Sequence, residues 1–77
     1  MKELLISITQ GLVDKPEEVS VDVDAPDEEG VVVYHLHVSQ SDMGRVIGKQ
    51  GRIAKAIRVV MRAAATRTDA KISIEID

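Results

Sequence analysis

The sequence predicts an α+β domain in which three helices cover a three-stranded mixed sheet, in the order α-β-β-α-α-β. Two segments place apolar residues at helical spacing, residues 1–14 and 52–66. Three other segments are rich in β-branched residues or alternate apolar with polar residues, as strands do. These are residues 19–24, 31–38 and 72–77. The chain has 77 residues and no cysteine, so we expect one domain over residues 1–77 whose core depends on packing alone.

The N-terminal half is expected to supply one helix and two strands. Pro16 ends the first helical pattern, and Gly11 weakens its last turn. An acidic turn at residues 26–30 separates the two strands, and so short a connection favours antiparallel pairing. The predicted core face of the second strand consists of Val32, Tyr34, Leu36 and Val38.

The C-terminal half is expected to supply two helices and a strand. Three side chains that favour helix starts come first, namely Ser39, Ser41 and Asp42. The helix that they begin is short, because Gly48 follows closely. A longer helix over residues 52–66 ends at Thr68-Asp69, and the last strand follows this crossover, which permits parallel pairing with a neighbour.

Charge is segregated along the chain, although the net charge is only −3. Residues 1–40 carry nine acids and two bases, whereas residues 41–68 carry seven bases and one acid. Such a basic segment is the electrostatic footprint of a polyanion partner even in an acidic chain. The sequence starts without the basic region and apolar run of a signal peptide, and no stretch reaches the roughly 20 apolar residues of a membrane span. We therefore expect a cytoplasmic location.

The most informative segment is Val46-Ile47-Gly48-Lys49-Gln50-Gly51-Arg52, which joins the two C-terminal helices. A Walker phosphate loop is excluded, because its glycine spacing is absent and Gln50 stands where a hydroxyl residue is required. A structural turn, with Gly48 as a left-handed C-cap, accounts for one glycine. Nucleic-acid contact accounts for both, because Gly51 also opens a helix whose N-terminal amides can bind phosphate.

The run Val46-Ile47-Gly48-Lys49-Gln50-Gly51 resembles the signature of KH domains, and the element order is similar to that of the type II version. Over the whole chain, the sequence resembles the small bacterial single-KH RNA-binding proteins of the KhpA type. This resemblance implies a single-stranded RNA-binding protein without catalytic activity, serving as a post-transcriptional regulator or RNA chaperone. It also implies a homodimer, or a heterodimer with a multidomain KH protein of the KhpB (Jag) type.

The resemblance also implies which residues contact nucleic acid. By position these are Val46, Ile47, Gly48, Lys49, Gln50 and Gly51. The candidate site also includes the bases Arg45, Arg52 and Lys55, because they lie near the loop in sequence. The strand at residues 31–38 would form the other side of the groove and read base edges, together with the loop at residues 26–30. That loop carries three acids that would repel phosphate, Asp27, Glu28 and Glu29.

The long helix combines a basic face with an unusually wide apolar face. Its bases Arg52, Lys55, Arg58 and Arg62 fall within about 120° of arc, and the apolar residues cover roughly 180°. A helix packed on one sheet needs an apolar stripe of only about 100°. The surplus indicates contact with the N-terminal helix, the groove floor or a partner subunit, and Ile53 is the candidate interface residue. The alternative function is therefore a KH-shaped protein-interaction module with little RNA affinity, a subunit of a larger RNA-binding complex.

Other chemistry finds little support in the sequence. His35 and His37 share a strand face, but without cysteine or an obvious third ligand they are typical of a solvated or groove-lining pair rather than of a metal site. Tyr34 is the only aromatic residue, so base binding cannot rest on several aromatic platforms. No nucleophile, base and orienting acid can be placed together, and we expect neither an enzyme nor a cofactor.

Overall fold

The computed structural model describes residues 1–76 and, for Lys49, the backbone alone. The elements are α1 Lys2–Gln10, a 3₁₀ turn Pro16–Glu18, β1 Ser20–Val23, β2 Val31–His37, α2 Gln40–Ile47, a 3₁₀ turn Lys49–Gly51, α3 Arg52–Arg67 and β3 Lys71–Ile76. The predicted α+β class and element order are confirmed. Asp77, which the sequence assigns to the last strand, lies outside the described residues. Among residues 1–76, no helix has both the length and the apolar character that crossing a membrane requires.

The three strands form a mixed sheet, as predicted, and the structure gives their order as β1-β2-β3. β1 pairs antiparallel with β2, with Val21 opposite Leu36, whereas β3 runs parallel to β2, with Ile74 opposite Tyr34. The acidic turn between β1 and β2 is too short for a crossover and enforces antiparallel pairing, while α3 provides the crossover that parallel pairing needs. The central strand is therefore β2, and β3 lies at one edge.

The helices cover one face of the sheet, and the core lies between the two layers. Its buried members are Leu5, Val21, Tyr34, Leu36, Ile57, Met61 and Ile74. Val32 and Val38 pack against the same cluster, so the predicted core face of β2 is confirmed. Full burial of a side chain such as Ile57 stabilises the fold by roughly 1.5–3 kcal/mol, which makes this cluster the main source of stability in a chain without disulfides.

α1 ends four residues earlier than the helix predicted over residues 1–14. It ends at Gln10, and the chain then turns toward α2. There the N–H groups of Asp14 and Lys15 each donate to a carboxylate oxygen of Asp42 at 3.0 Å. Since these two N–H groups are committed to Asp42, they cannot extend the helical ladder. A long-range contact thus ends a helix that the local pattern would continue.

Asp42 is a buried carboxylate, 1% exposed, that joins the N-terminal segment to α2. Ser39 caps α2 by accepting the N–H of Asp42 at 3.1 Å, and its hydroxyl donates to Asp42 Oδ2 at 2.8 Å. The N–H of Asp14 is the largest influence lowering the pKa of Asp42, and burial opposes it. The Ser39 hydroxyl, the N–H of Lys15 and the charge of Arg45 lower this pKa further. The sequence predicted only the role of Asp42 in starting a helix.

Candidate nucleic-acid interface

The Gly48–Gly51 loop turns the chain sharply between α2 and α3. Gly48 is extended, with φ −76° and ψ 178°, and its carbonyl accepts the N–H of Gly51 at 2.9 Å. Gln50 and Gly51 are both left-handed, with φ of 63° and 70°. The interpretation of Gly48 as a left-handed C-cap is therefore wrong, because the left-handed residues come later in the loop.

The two glycines are required for different reasons. A Cβ on Gly48 would lie 2.4 Å from the carbonyl oxygen of Gly44, so any side chain there collides with the backbone of α2. At Gly51, no described atom beyond the residue itself and its immediate surroundings in the chain lies within 4 Å of the position that a Cβ would take. Glycine at this second position relieves the left-handed backbone and leaves open space in front of α3.

The first turn of α3 has no side-chain cap. Gly51 is the N-cap residue and, within the described part of the chain, no side chain caps this end and no acid occupies the first turn. The first four N–H groups of an α-helix lack intrahelical partners, and the helix dipole adds positive partial charge at that end. The start of this 16-residue helix therefore suits an oxygen anion such as phosphate.

Four cationic side chains continue this site along α3. Arg52, Lys55, Arg58 and Arg62 are exposed. None of them forms an ion pair with a carboxylate that the structure describes. The basic face predicted for this helix is therefore exposed, and no described carboxylate neutralises its charges, as is typical of an anion-binding surface.

Arg45 differs from the cations of α3, because it has a carboxylate partner. Its Nη1 donates to Asp14 Oδ1 at 2.7 Å, and both side chains are more than half exposed. An exposed ion pair of this kind contributes only about 0–1 kcal/mol. A phosphate can therefore compete with Asp14 for Arg45.

The remaining residues predicted for the loop are divided between surface and core. Ile47 is 56% exposed and Gln50 is exposed, whereas the side chain of Lys49 lies outside the described residues. Val46 has no exposed surface, so the prediction that it lines the groove is wrong: its side chain belongs to the core. Tyr34 is also buried and offers no stacking surface.

Two surface hollows adjoin α3. One, of about 480 Å³, lies beside the loop and is lined by Gly44, Arg45, Gly48, Arg52 and Ile53. The other, of about 130 Å³, lies between α3 and β3 and is lined by Arg58, Arg62, Ile72, Ser73 and Ile74. Together with the exposed cations, they form a basic path from the loop to the edge of the sheet.

β3, rather than β2, supplies the strand side of this path, which corrects the expectation for residues 31–38. β2 is the central strand and β3 the edge strand. Val31 pairs with Lys71 at the start of β3, so the acidic loop at residues 26–30 lies where α3 ends, about 24 Å along that helix from Gly51. Its acids do not flank the glycine loop. The sequence did not identify Ser73 as a residue of this path, because strand order cannot be inferred from local patterns.

The apolar surplus of α3 is exposed mainly beyond its first turn. Val59 and Val60 are 65% and 44% exposed. Ile53 is half-buried, packs against the core and lines the hollow beside the loop. Its role as an interface residue remains a prediction.

The sheet face opposite the helices carries histidines paired with carboxylates. His35 Nε2 lies 2.8 Å from Asp24 Oδ2, and His35 Nδ1 lies 3.5 Å from Glu75 Oε2. His37 Nε2 lies 3.0 Å from Asp22 Oδ2. Over residues 1–76, no three side chains of His, Cys, Asp or Glu are placed to hold a metal ion. These histidines lie on the face away from α3, so they do not line the basic path.

Comparison with known proteins gives a match over nearly the whole chain. Residues 2–76 match the family model described as KhpA/KhpB, KH domain. The chain is 54% identical over 76 residues to the RNA-binding protein KhpA of Clostridium perfringens strain 13, with 99% of each chain covered. The RNA-binding protein KhpA of Listeria monocytogenes EGD-e is 51% identical over 76 residues, which cover 99% of this chain and 97% of that protein. The protein of the same name from Chlamydia trachomatis is 44% identical over 78 residues, which cover 99% of this chain and 95% of that protein. No solved structure matches.

Proposed function

Because the chain belongs to the KhpA/KhpB KH-domain family, we propose that it binds single-stranded RNA through the Gly48–Gly51 loop and the basic face of α3. The relatives in Clostridium perfringens and Listeria monocytogenes are named RNA-binding proteins. We further propose that residues 1–77 form a single KH domain, which acts in the cytoplasm and carries out no catalytic step.

One RNA phosphate would lie at the start of α3. N–H groups of the uncapped first turn would donate to its oxygens, and Arg52 would add a positive charge. Gly51 lets the sugar-phosphate chain come close, because the space in front of it is open. By sequence, Lys49 and Gln50 at the tip of the loop would contact the same stretch of backbone.

The following nucleotides would extend along α3 toward β3. Arg52 and Arg62 are ten residues apart, about 15 Å along the helix axis, so these cations can contact successive phosphates rather than one. The hollow at Arg58, Arg62 and Ser73 would receive the end of a segment of about four nucleotides, the usual capacity of a KH groove.

The feature that most supports RNA binding lies on α3. The uncapped N-terminus of α3 and four exposed cations, which have no carboxylate partner among the described residues, occur along one helix. A surface shaped only for solubility would mix charges of both signs. Here the acids are concentrated elsewhere in the chain, with nine of them in residues 1–40.

One groove of this size is expected to bind RNA modestly, so pairing of two grooves is part of the proposal. A homodimer, or a heterodimer with a KhpB (Jag)-type multidomain KH protein, would raise the effective affinity through avidity. Such a paired binder suits a post-transcriptional regulator or RNA chaperone, which contacts many RNAs without a strict sequence requirement.

The alternative is a KH-shaped protein-interaction module with little RNA affinity of its own. The exposed Val59 and Val60 favour it, because adjacent apolar side chains on a helix surface can form part of a partner interface. Glutamate substitution at Val60, which lies outside the arc of the basic side chains, would separate the two functions. Loss of a protein partner with RNA affinity unchanged would support the alternative, and unchanged partner binding would count against it.

Fluorescence anisotropy with a short labelled oligouridine, measured across salt concentrations, tests the RNA proposal. If four cations contact phosphate, log affinity should fall against log salt with a slope of about −2.8. The double variant R58A/R62A should reduce the magnitude of this slope by about 1.4, whereas K2A in α1 should leave it unchanged. A slope near zero for the wild type, or equal effects of R58A/R62A and K2A, would refute the proposed path.

A further inference from the structure

The sheet face opposite the helices is bare within the described residues. The helices pack on the face that carries Val21, Leu36 and Ile74. On β2 the other face consists of Val31, Val33, His35 and His37, which are half-buried. β2 also begins with a continuous apolar run at residues 31–34 and pairs in parallel with β3. Continuous apolar runs and parallel pairing are typical of strands that are covered on both faces, so this face has the character of one that a partner covers.

Three carboxylates from the two outer segments of the sheet border the histidines on this face. Asp24 Oδ2 lies 2.8 Å from His35 Nε2, and Glu75 Oε2 lies 3.5 Å from His35 Nδ1. Asp22 Oδ2 lies 3.0 Å from His37 Nε2. The three acidic side chains are between 59% and 79% exposed. An ionised carboxylate has about four acceptor positions, so each of these acids retains acceptor capacity toward solvent beyond its histidine contact.

The open face combines negative charge with an apolar strip. The three acids and one base, Lys71, give it a formal charge of −2 when the histidines are neutral. Val33 adjoins the acids, because its carbonyl accepts the N–H of Asp24 at 3.0 Å, and it pairs with Ser73 of β3. This charge repels a phosphate chain, whereas lysine and arginine combine an apolar stem with a cationic head. The face therefore complements a cationic protein segment rather than a nucleic acid.

We propose that this sheet face is a docking surface for an extended, Lys/Arg-rich segment of a partner protein. Its cations would pair with Asp22, Asp24 and Glu75, and an apolar side chain next to them would pack on Val33. Asp22 and Asp24 are two residues apart at the end of β1, about 7 Å, which equals the spacing of alternate side chains in an extended segment. Arginine suits the site best, because its planar fork binds a carboxylate through two hydrogen bonds and stacks on aromatic rings such as the imidazole of His35. The inference does not rest on the proposed RNA function, since it concerns the face away from α3.

Two short peptides test this docking. The basic probe Arg-Ser-Arg-Ser-Leu-Ser presents two guanidinium groups and a leucine on one side when it is extended, and the acidic probe Glu-Ser-Glu-Ser-Leu-Ser has the same pattern with the opposite charge. Added to ¹⁵N-labelled protein at low salt, the basic probe should cause saturable amide shifts at residues 22–24, 33–37 and 73–75, and the acidic probe should cause none. Saturable shifts with both probes would overturn the charge argument, and no saturable shift with the basic probe would overturn the docking surface.

Paired variants show whether the acids of this face are responsible. D22N/D24N removes two charges and keeps side-chain oxygens that accept a hydrogen bond from a histidine ring, so the fold should persist, as melting curves would check. It should weaken binding of the basic probe about threefold to tenfold at low salt, and E75Q alone about twofold. The control E3Q/E17Q removes two exposed acids outside the sheet and should change this affinity less than twofold. Equal effects of the two double variants would show that only net charge matters and would overturn the assignment.

The basic face of α3 in a second copy is the rival occupant of this surface. If it were the natural one, R58A/R62A and D22N/D24N would each abolish protein dimers in sedimentation velocity, and that result would overturn the assignment to a partner protein. R58A/R62A should also leave the affinity for the basic probe undiminished, because the two arginines line the hollow between α3 and β3 on the helix side of the sheet. Loss of probe binding in R58A/R62A would overturn the placement of the docking surface.

Discussion

Gly51 can be replaced without a steric clash, which makes it the sharpest probe of RNA contact. No described atom beyond its immediate surroundings in the chain lies within 4 Å of a Cβ at this position, although the backbone is left-handed, with φ of 70°. Asn and Asp tolerate this conformation best among side chains, at a cost of about 1 kcal/mol relative to glycine. For a domain of this size, that corresponds to a melting temperature lower by about 4–8 °C. Both variants should therefore fold.

The Asn and Asp variants of Gly51 differ by one negative charge at the proposed phosphate site. Two like charges 4 Å apart repel by about 1 kcal/mol in bulk water and by about 4 kcal/mol at the effective dielectric constant of a protein surface. Taking the lower end of that range, Gly51→Asp should bind oligouridine at least about fivefold more weakly than Gly51→Asn. The Asn variant, which keeps the helix terminus uncharged, is the matched control.

The assay for the Gly51 variants is fluorescence anisotropy with the same oligouridine, with melting curves to confirm folding. Equal affinities for Gly51→Asp and Gly51→Asn would refute the placement of a phosphate at the start of α3. Gly48 is unsuitable for this test, because its Cβ would overlap the carbonyl of Gly44 at 2.4 Å. Gly48→Ala should lower stability by about 1–3 kcal/mol, so loss of binding would not be interpretable.

Three further predictions address the core, the Asp42 contact and the Arg45 pair. Ile57→Ala should lower the free energy of unfolding by about 2–5 kcal/mol in urea titrations, and a loss below 1 kcal/mol would contradict the proposed core. The lowered pKa of Asp42 means that its stabilising effect is present above the ordinary value of 3.8 and is lost as pH falls through the lower folded value. Asp42→Asn should therefore flatten the melting temperature against pH in that acidic window, and an unchanged profile would exclude this role. Asp14→Asn removes the charge that pairs with Arg45 and should raise oligouridine affinity about two- to threefold at low salt. An unchanged or lower affinity would contradict this prediction.

Local patterns were sufficient to predict much of this fold. The alternation of β2 predicted that Tyr34 and Leu36 face the core, and the spacing of bases on α3 predicted one exposed cationic face. Short connections predicted antiparallel pairing, and a helical crossover permitted parallel pairing. Each of these properties is determined within about ten residues of sequence, which is the range over which such patterns act.

The features that sequence reasoning missed depend on contacts between distant segments. α1 ends at Gln10 because Asp42 binds the N–H groups of Asp14 and Lys15, 28 and 27 residues away. Val46 was expected at the groove because it adjoins the loop in sequence, but the rotation of α2 places it in the core. Ser73 joins the basic path only because β3, rather than β2, is the strand next to the cationic side of α3. None of these contacts leaves a signal in local spacing.

The most direct test of the central claim is a titration of ¹⁵N-labelled protein with short oligouridine, followed by two-dimensional amide NMR spectra. If RNA lies along the proposed path, the earliest and largest saturable shifts will occur at Gly51 and the first turn of α3, followed by Arg58, Arg62 and Ser73. Shifts confined to the opposite sheet face around His35 and His37, or no saturable shifts, would contradict the account.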